Sequence, residues 1–507
     1  MHRLQKQLRR VHRVKVVLLT AELTGHVNGC AFGQDALYLL LALTLAAPDL
    51  LAAPTALDSG FANAGRANYT TGAYYKSTVA HLYRPGGGSV VLLTYSDVDG
   101  SNNPVGPYTL GAYFYSDAGV YTVGANPATY LNFSRVAGAT IDSQGRIIVV
   151  GSTGTGGAVD FRVVRLLSTG LPDNSFSGDG MVDIAFNLGG NNSDAANAVA
   201  VDDQDRIVVV GEVERAATGD FDFGTARLTT TGALDTSFNG SGKRVTHFDL
   251  AASMRFDNAR AVAIDSAGRI SIAGGAYDAA RSVTRIALAR LTDAGLADTS
   301  FCPDSCNYMD SYTAINNGRR VIFYGSATPA LSDQVAAMAI NQDGALLIAG
   351  TTPGSGETLG FIQRFDTSGN WVAETTTQGG AGGQMFIGGV HWRNPSISES
   401  DILLTGVSGP GAELFFAQRF DALLFAKANW GIVGPSSSVY IWSASGGFGD
   451  LGDDRPARST IDSTGRVLVG GRFKANAASN PYSATASRLT STDAQPAAID
   501  IFKNSFE

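Results

Sequence analysis

The sequence predicts an all-β fold: a seven-bladed β-propeller of four-stranded antiparallel blades, with the N-terminal strand closing the last blade. Three observations carry this prediction. One unit recurs about every 60 residues, each unit holds four strand-like runs, and the piece missing from the last unit stands ahead of the first. Composition agrees with it. Hydrophobic residues make up 44% of the 507, enough to fill several cores, while charged residues are only 16%. Such a chain is too apolar for disorder and too poor in Lys and Arg for a nucleic-acid binder.

The clearest copies of the unit are Ala-Thr-Ile-Asp142-Ser-Gln-Gly145-Arg-Ile-Ile-Val-Val, Ala-Val-Ala-Val-Asp202-Asp-Gln-Asp205-Arg-Ile-Val-Val-Val and Ala-Val-Ala-Ile-Asp265-Ser-Ala-Gly268-Arg-Ile-Ser-Ile. Weaker copies surround Asn341-Gln-Asp-Gly344 and Asp462-Ser-Thr-Gly465, with degenerate ones near Asp401 and Gly86. In each, Asp-x-x-Gly-Arg between two Val/Ile/Ala runs signals a hairpin, because Asp can bond the turn backbone and Gly supplies positive φ. Runs such as Ile147-Ile-Val-Val150 are apolar without alternation, as expected of strands buried on both faces. A third strand follows at Phe223-Gly-Thr-Ala-Arg227-Leu and its equivalents. The motif Leu234-Asp-Thr-Ser-Phe238 then leads into a fourth strand, Gly242 to Phe248.

The last unit ends at Ser487-Arg488-Leu489-Thr490 without that motif, and Leu57-Asp-Ser-Gly-Phe61 at the other end supplies it. A ring closed in this way leaves no free sheet edge at the seam. The expected organisation is a targeting segment over 1–53, a propeller over 57–490 and a C-terminal tail over 491–507. Within 1–53, basic residues from Arg3 to Lys15 precede the apolar run Ala36–Ala47, which suits an export signal and is short for a membrane span. Acylation at Cys30 is the competing reading. Subtracting the six basic and three acidic residues of 1–53 from totals of 37 and 45 leaves a net charge of −11, which disfavours nucleic acid and anionic membranes as partners.

The combination of Ala-x-Ala-Ile-Asp-x-x-Gly-Arg-Ile, Phe-x-x-Ala-Arg-Leu and Leu-Asp-Thr-Ser-Phe resembles the delta-60 repeat family of bacterial proteins. The resemblance spans roughly 57–490, and what it implies is a propeller-like fold and export rather than an activity. The ending Ile501-Phe-Lys-Asn-Ser-Phe-Glu507 is similar to short tails of some exported proteobacterial proteins, with Ser505 in place of Gly.

Four features are candidates for chemistry. The first is a column of arginines, Arg165, Arg227, Arg290, Arg364, Arg419 and Arg488, with Phe114 at the first unit's position. It could bind a polyanion through bidentate contacts. The structural alternative, an ion pair with a turn aspartate such as Asp142, Asp202 or Asp265, is preferred, because repeat-wide residues serve the repeat. Second, Asp97-Val-Asp99-Gly-Ser-Asn102 has alternating oxygen ligands like part of a calcium loop, without the distal bidentate Glu; Asp450, Asp453 and Asp454 form another acidic loop. The plain reading of both is turn chemistry, and no cofactor is expected.

The third feature is an insertion between the fourth and fifth units. Phe301 precedes Gly318 by 17 residues where Phe238 precedes Gly242 by four, and the extra stretch carries Cys302 and Cys306, expected to form a disulfide in an oxidising compartment, with Tyr308 and Tyr312. The fourth is the aromatic set Trp371, Trp392, Trp430, Tyr440 and Trp442, read as core filling in a degenerate blade.

Catalytic signatures are absent. Gly406-Val-Ser408-Gly-Pro410 fails the nucleophile-elbow pattern at its last position, and the histidines beyond residue 53, His81, His247 and His391, hold unrelated repeat positions. The expected function is an exported, non-catalytic binding or surface-interaction scaffold of the bacterial envelope. Its partner would be a polysaccharide or a cell-surface protein, with no transmembrane segment in the mature chain. The rival reading is a carbohydrate-active or lactonase-like hydrolase using propeller-face carboxylates, and a third is a purely structural envelope protein.

Overall fold

A computed structural model describes residues 62, 66–69, 75–99, 105–125, 132–155, 158–216, 219–248, 250, 256–279, 282–302 and 318–322. It further describes 333–354, 356–377, 384–392, 402–409, 414–426, 439–442, 455–456, 459–461, 466–473 and 483–489. The segments read as export signal and C-terminal tail lie outside the described residues.

The strands form seven sheets of antiparallel strands, ordered in blades 1 to 6 along the chain from the innermost strand outward, with a two-residue strand, Leu188–Gly189, added in parallel to the second strand of blade 3. Blade 1 holds Tyr75–Tyr83, Ser89–Ser96, Thr109–Tyr115 and Tyr121–Ala125. Blade 2 holds Arg135–Ile141, Ile147–Thr155, Ala158–Leu166 and Met181–Ile184. Blade 3 holds Asp194–Val201, Ile207–Ala216, Phe221–Leu228 and Lys243–Thr246. Blade 4 holds Asp257–Ile264, Ile270–Asp278, Val283–Leu291 and Arg319–Ile322. Blades 5 and 6 run from Gln334–Ile340 to Trp371–Thr377 and from Gln384–Trp392 to Val439–Trp442. In blade 7 the inner pieces Arg455–Pro456 and Thr460–Ile461 pair with Val467–Phe473, which pairs with Ser483–Leu489. Its outermost strand is Arg66–Tyr69, pairing Arg66 with Ser487 and Tyr69 with Ala484. The N-terminal strand therefore closes the last blade.

The apolar runs without alternation are explained by blade stacking. In blade 2, Ile147 and Val149 pack with Leu82, Val90 and Leu92 of blade 1, while Ile148 and Val150 pack with Val199 and Val209 of blade 3. In blade 3, Ile207 and Val209 face blade 2 while Val208 and Val210 face Ile270 and Ile272 of blade 4. Each sheet is thus covered on both faces, which a lone blade could not achieve. Burying one such Val or Ile contributes about 1.5–3 kcal/mol.

Across the seam, Thr78 Oγ1 donates to the Gly471 carbonyl (2.9 Å) and Thr460 Oγ1 to the His81 carbonyl (2.9 Å). Arg466 pairs with Asp117 (2.9 Å), and Arg488 Nη1 donates to the Asp117 carbonyl (2.8 Å).

Two details were not expected. The inner strands of blades 1 to 6 each slip register by one residue at an equivalent place, for instance between Ala196 and Ala198 and between Ala259 and Ala261. The resulting bulges displace Asn197 and Arg260 from the ladder and bend each inner strand. The cysteine-bearing insertion lies within blade 4, between its third and outer strands, and not between units four and five. Gly318 corrects the placement: its carbonyl accepts from Arg290 N–H (2.7 Å) just as Gly242 accepts from Arg227 (2.9 Å), so the outer strand of blade 4 begins after the insertion.

Candidate functional site

The arginine column does not face the axis. Arg165, Arg227 and Arg290 sit on third strands and are each 1% exposed. Their Nε atoms pair with Asp173 (2.8 Å), Asp235 (2.8 Å) and Asp298 (2.6 Å), the aspartates of the Leu-Asp-x-Ser-Phe type of motif. Asp142, Asp202 and Asp265 were the expected partners, but each accepts instead from Arg146, Arg206 or Arg269 four residues on, at 2.6 Å. The reason is local. A carboxylate at the start of the tight turn also accepts the N–H of the residues two and four ahead, as Asp202 does from Gln204 and Arg206 (2.9 Å each), so the turn's own arginine is already within reach.

In Arg165, Arg227 and Arg290, Nη2 donates to the serine of the same motif, Ser175, Ser237 or Ser300 (3.1 to 3.2 Å), while Nη1 faces the following blade. Arg165 Nη1 donates to the Thr230 carbonyl (2.5 Å), Arg227 Nη1 to that of Asp293 (2.5 Å), and Arg290 Nη1 to that of Thr367. Arg364 reaches the Ala422 carbonyl in the same way. Each guanidinium of blades 2 to 4 also stacks on the phenylalanine of its own motif, Phe176, Phe238 or Phe301, at 4.6 to 4.9 Å. Burial pushes the Asp298 carboxyl up, but the Ser300 hydroxyl and N–H and the Arg290 charge outweigh it and hold the group below the ordinary range. The column is a circumferential clasp between blades.

The same motif makes a second clasp. The residue after its phenylalanine adopts positive φ (Ser177 55°, Asn239 51°, Cys302 57°) and donates its N–H to the next blade, onto Thr231, Ala294 or Ser368. Cys302 is buried at this position. Cys306, Tyr308 and Tyr312 lie outside the described residues.

With those charges internal, the accessible chemistry lies where inner strands end. The inner-strand ends of blades 3, 4 and 5 and their turns line an open, solvent-facing cavity of about 330 Å³. Three homologous layers line it: Val201, Ile264 and Ile340; then Asp202, Asp265 and Asn341; then Asp203, Ser266 and Gln342. No aromatic ring is among them. Asp202 and Asp265 are held by their arginines and turn N–H groups. Blade 5 replaces both members of the pair, with Asn341 for the aspartate and Ala345 for the arginine. Asn341 Oδ1 accepts the Ala345 N–H (2.7 Å), while its Nδ2 is buried with no hydrogen-bond partner. The outermost layer therefore offers one carboxylate, one hydroxyl and one carboxamide.

The other nominated residues are dispersed. Asp97 and Asp99 are exposed on the loop between the second and third strands of blade 1, and Asn102 lies outside the described residues, as do Asp450, Asp453 and Asp454. Among the described residues no three His, Cys, Asp or Glu side chains gather as a metal site. Trp392 is buried in the core between blades 5 and 6 with the Arg364 guanidinium over its ring (5.3 Å), and Trp371 packs against the core of blades 4 and 5. Trp430 and the side chains of Tyr440 and Trp442 are outside the described set.

One contact invisible in sequence joins His391 Nε2 to Ser459 Oγ (2.7 Å), with Thr405 Oγ1 also 2.7 Å from that hydroxyl. Burial lowers His391 to about 4, and Ser459 is buried between blades 6 and 7, so the pair is an interior polar network rather than an accessible nucleophile.

Residues 143–176 and 205–238 match a family described as a domain of unknown function (DUF5122), beta-propeller. Both segments run from the turn to the motif phenylalanine, and with the seven blades they place the chain among propeller repeat proteins. No curated protein matches the sequence. Similar solved structures include a protein of unknown function from Dyadobacter fermentans, 12% identical, covering 84% of this chain and 97% of that one with a TM-score of 0.43. Polysaccharide lyase Uly1 is 10% identical, with coverage of 82% and 90% and a TM-score of 0.46. Sqt1 from Chaetomium thermophilum is 12% identical, with coverage of 83% and 99% and a TM-score of 0.40. At such identities the likeness concerns the fold alone.

Proposed function

We propose that this chain is an exported, non-catalytic binding scaffold of the delta-60 repeat type, and that its ligand sits in the cavity at the inner-strand ends of blades 3 to 5. The observation that carries the reading is the state of the carboxylates there. Asp202 and Asp265 each accept an arginine Nε at 2.6 Å as well as turn N–H groups. A general acid or base must reach the proton it transfers, and these oxygens are already engaged. Asp203, Ser266 and Gln342 supply an acceptor, a hydroxyl and an amide without a reactive pair. That set suits a hydroxyl-rich ligand such as the end of a polysaccharide or a cell-surface glycan.

The test is co-sedimentation of the purified chain with a polysaccharide and cell-envelope panel, with reducing ends assayed in parallel. The reading expects retention without released sugar, and loss of retention in Asp203→Ala/Gln342→Ala at unchanged melting temperature. Released reducing ends would establish a hydrolase instead. Export is checked by cell fractionation and N-terminal sequencing, which should find cleavage between residues 46 and 56.

A further inference from the structure

The hairpins that join the inner strand to the second and the third strand to the outer all open on one face of the propeller. The second kind is a five-residue turn closed by one repeated hydrogen bond. It runs from Ser116 N–H to the Val120 carbonyl, Leu167 to Leu171, Thr229 to Ala233, Thr292 to Leu296, Asp366 to Asn370 and Asp421 to Phe425, at 2.7 to 2.9 Å. Of ten large hydrophobic side chains exposed among the described residues, six lie in these turns: Val120, Leu167, Leu171, Leu296, Leu423 and Phe425. All but Leu167 are more than half exposed. Isolated exposed leucines need no explanation, but these stand at the equivalent turn of blades 1, 2, 4 and 6, all on one face, where they can serve as apolar anchors of an interaction surface.

Charge selects the occupant. The turn arginines Arg146, Arg206 and Arg269 are each consumed by an aspartate at 2.6 Å. Asp179 and Asp343 on the same face are exposed, and Asp421 begins the turn that carries Leu423 and Phe425. The surface is thus apolar with a net negative border. A second copy would set carboxylate against carboxylate, and an anionic membrane would be repelled.

We propose that this rim docks a partner protein segment whose apolar side chains are flanked by lysine or arginine. The proposal is independent of what the cavity of blades 3 to 5 holds.

The probe is a labelled 18-residue amphipathic helix of leucine and lysine, titrated against the full chain by fluorescence anisotropy, with the leucine–glutamate counterpart as control. Saturable binding of the lysine peptide is expected, weakened about tenfold or more in Leu171→Ser/Leu296→Ser/Phe425→Ser. These side chains are exposed, so the variant should melt with the wild type, and raising salt should weaken the wild-type complex by screening. Equal binding of the glutamate peptide, undiminished binding by the triple variant, or salt-independent binding would each overturn the proposal. So would a dimer in sedimentation equilibrium that the triple variant abolishes, or capture by zwitterionic vesicles at the same rim.

Discussion

Blades 2 to 4 and blade 1 solve one problem with different residues. In blades 2 to 4, a third-strand arginine pairs with the motif aspartate, lies on the motif phenylalanine and donates to a carbonyl of the next blade. Blade 1 has Phe114 at that position. The guanidinium is supplied instead by Arg84, just beyond the inner strand, which stands over the Phe114 ring (5.0 Å) and reaches the Ser168 carbonyl of blade 2 (3.4 Å). Ser168 holds the same turn position as Thr230 and Asp293. At the seam, Arg488 reaches the equivalent Asp117 carbonyl (2.8 Å). The acceptor stays fixed while the donor is exchangeable, so the ring demands the clasp and not a particular arginine.

That comparison can be broken or sharpened by mutation. The largest effect is expected at a regular clasp. Arg290→Met would strand Asp298 without its counter-ion and should cost about 3–5 kcal/mol in urea unfolding. Next is a pH effect that the arginine clasps do not share. Burial raises Asp194 to about 6, from an ordinary 3.8, although it accepts from Phe186 N–H (2.8 Å). A raised carboxyl binds its proton more tightly when folded. Its contribution is whole below pH 3.8 and is lost as pH climbs through 6, a difference of about 3 kcal/mol. The stability gap between wild type and Asp194→Asn, followed by urea midpoints from pH 4 to pH 7, should shift against wild type by that amount.

A smaller cost is expected at Gly295, where φ is 74° and an added Cβ would lie 2.6 Å from the Phe238 ring of the preceding blade. Gly295→Ala should lose about 2–3 kcal/mol through strain and overpacking. The smallest effect belongs to the substitute clasp: Arg84→Ala removes a long hydrogen bond and a cation–π contact and should cost about 1 kcal/mol by thermal melting. A loss at Arg84 equal to that at Arg290 would show that blade 1 uses the clasp as heavily as the regular blades.

Much of the fold was legible because it is local. The period of Asp-x-x-Gly-Arg counts the blades, the runs at 147–150 and 207–210 reveal strands covered on both faces, and the absent motif in the last unit points to N-terminal closure. Partner choice was not legible. Two arginine sets and two aspartate sets share one period, and only the turn geometry shows that Arg146 takes Asp142 and leaves Arg165 to Asp173. The inner-strand bulges have no local sequence mark. Asp205 is a further example: it stands at φ 58° where neighbouring blades place Gly145 and Gly268, and it accepts from Ser143 N–H (2.9 Å) and Oγ (2.7 Å) of blade 2. The substitution was visible in sequence, but not the contacts across the blade boundary. The cavity was equally hidden, because it is assembled from turns about 60 to 80 residues apart that carry different side chains.

The central claim is that the repeated arginines hold the ring together and touch no ligand. The most direct test compares Arg227→Met with wild type for melting temperature and polysaccharide retention in the same buffer. The account predicts a melting temperature lower by several degrees with retention per folded molecule unchanged. An unchanged melting temperature with retention abolished would contradict it.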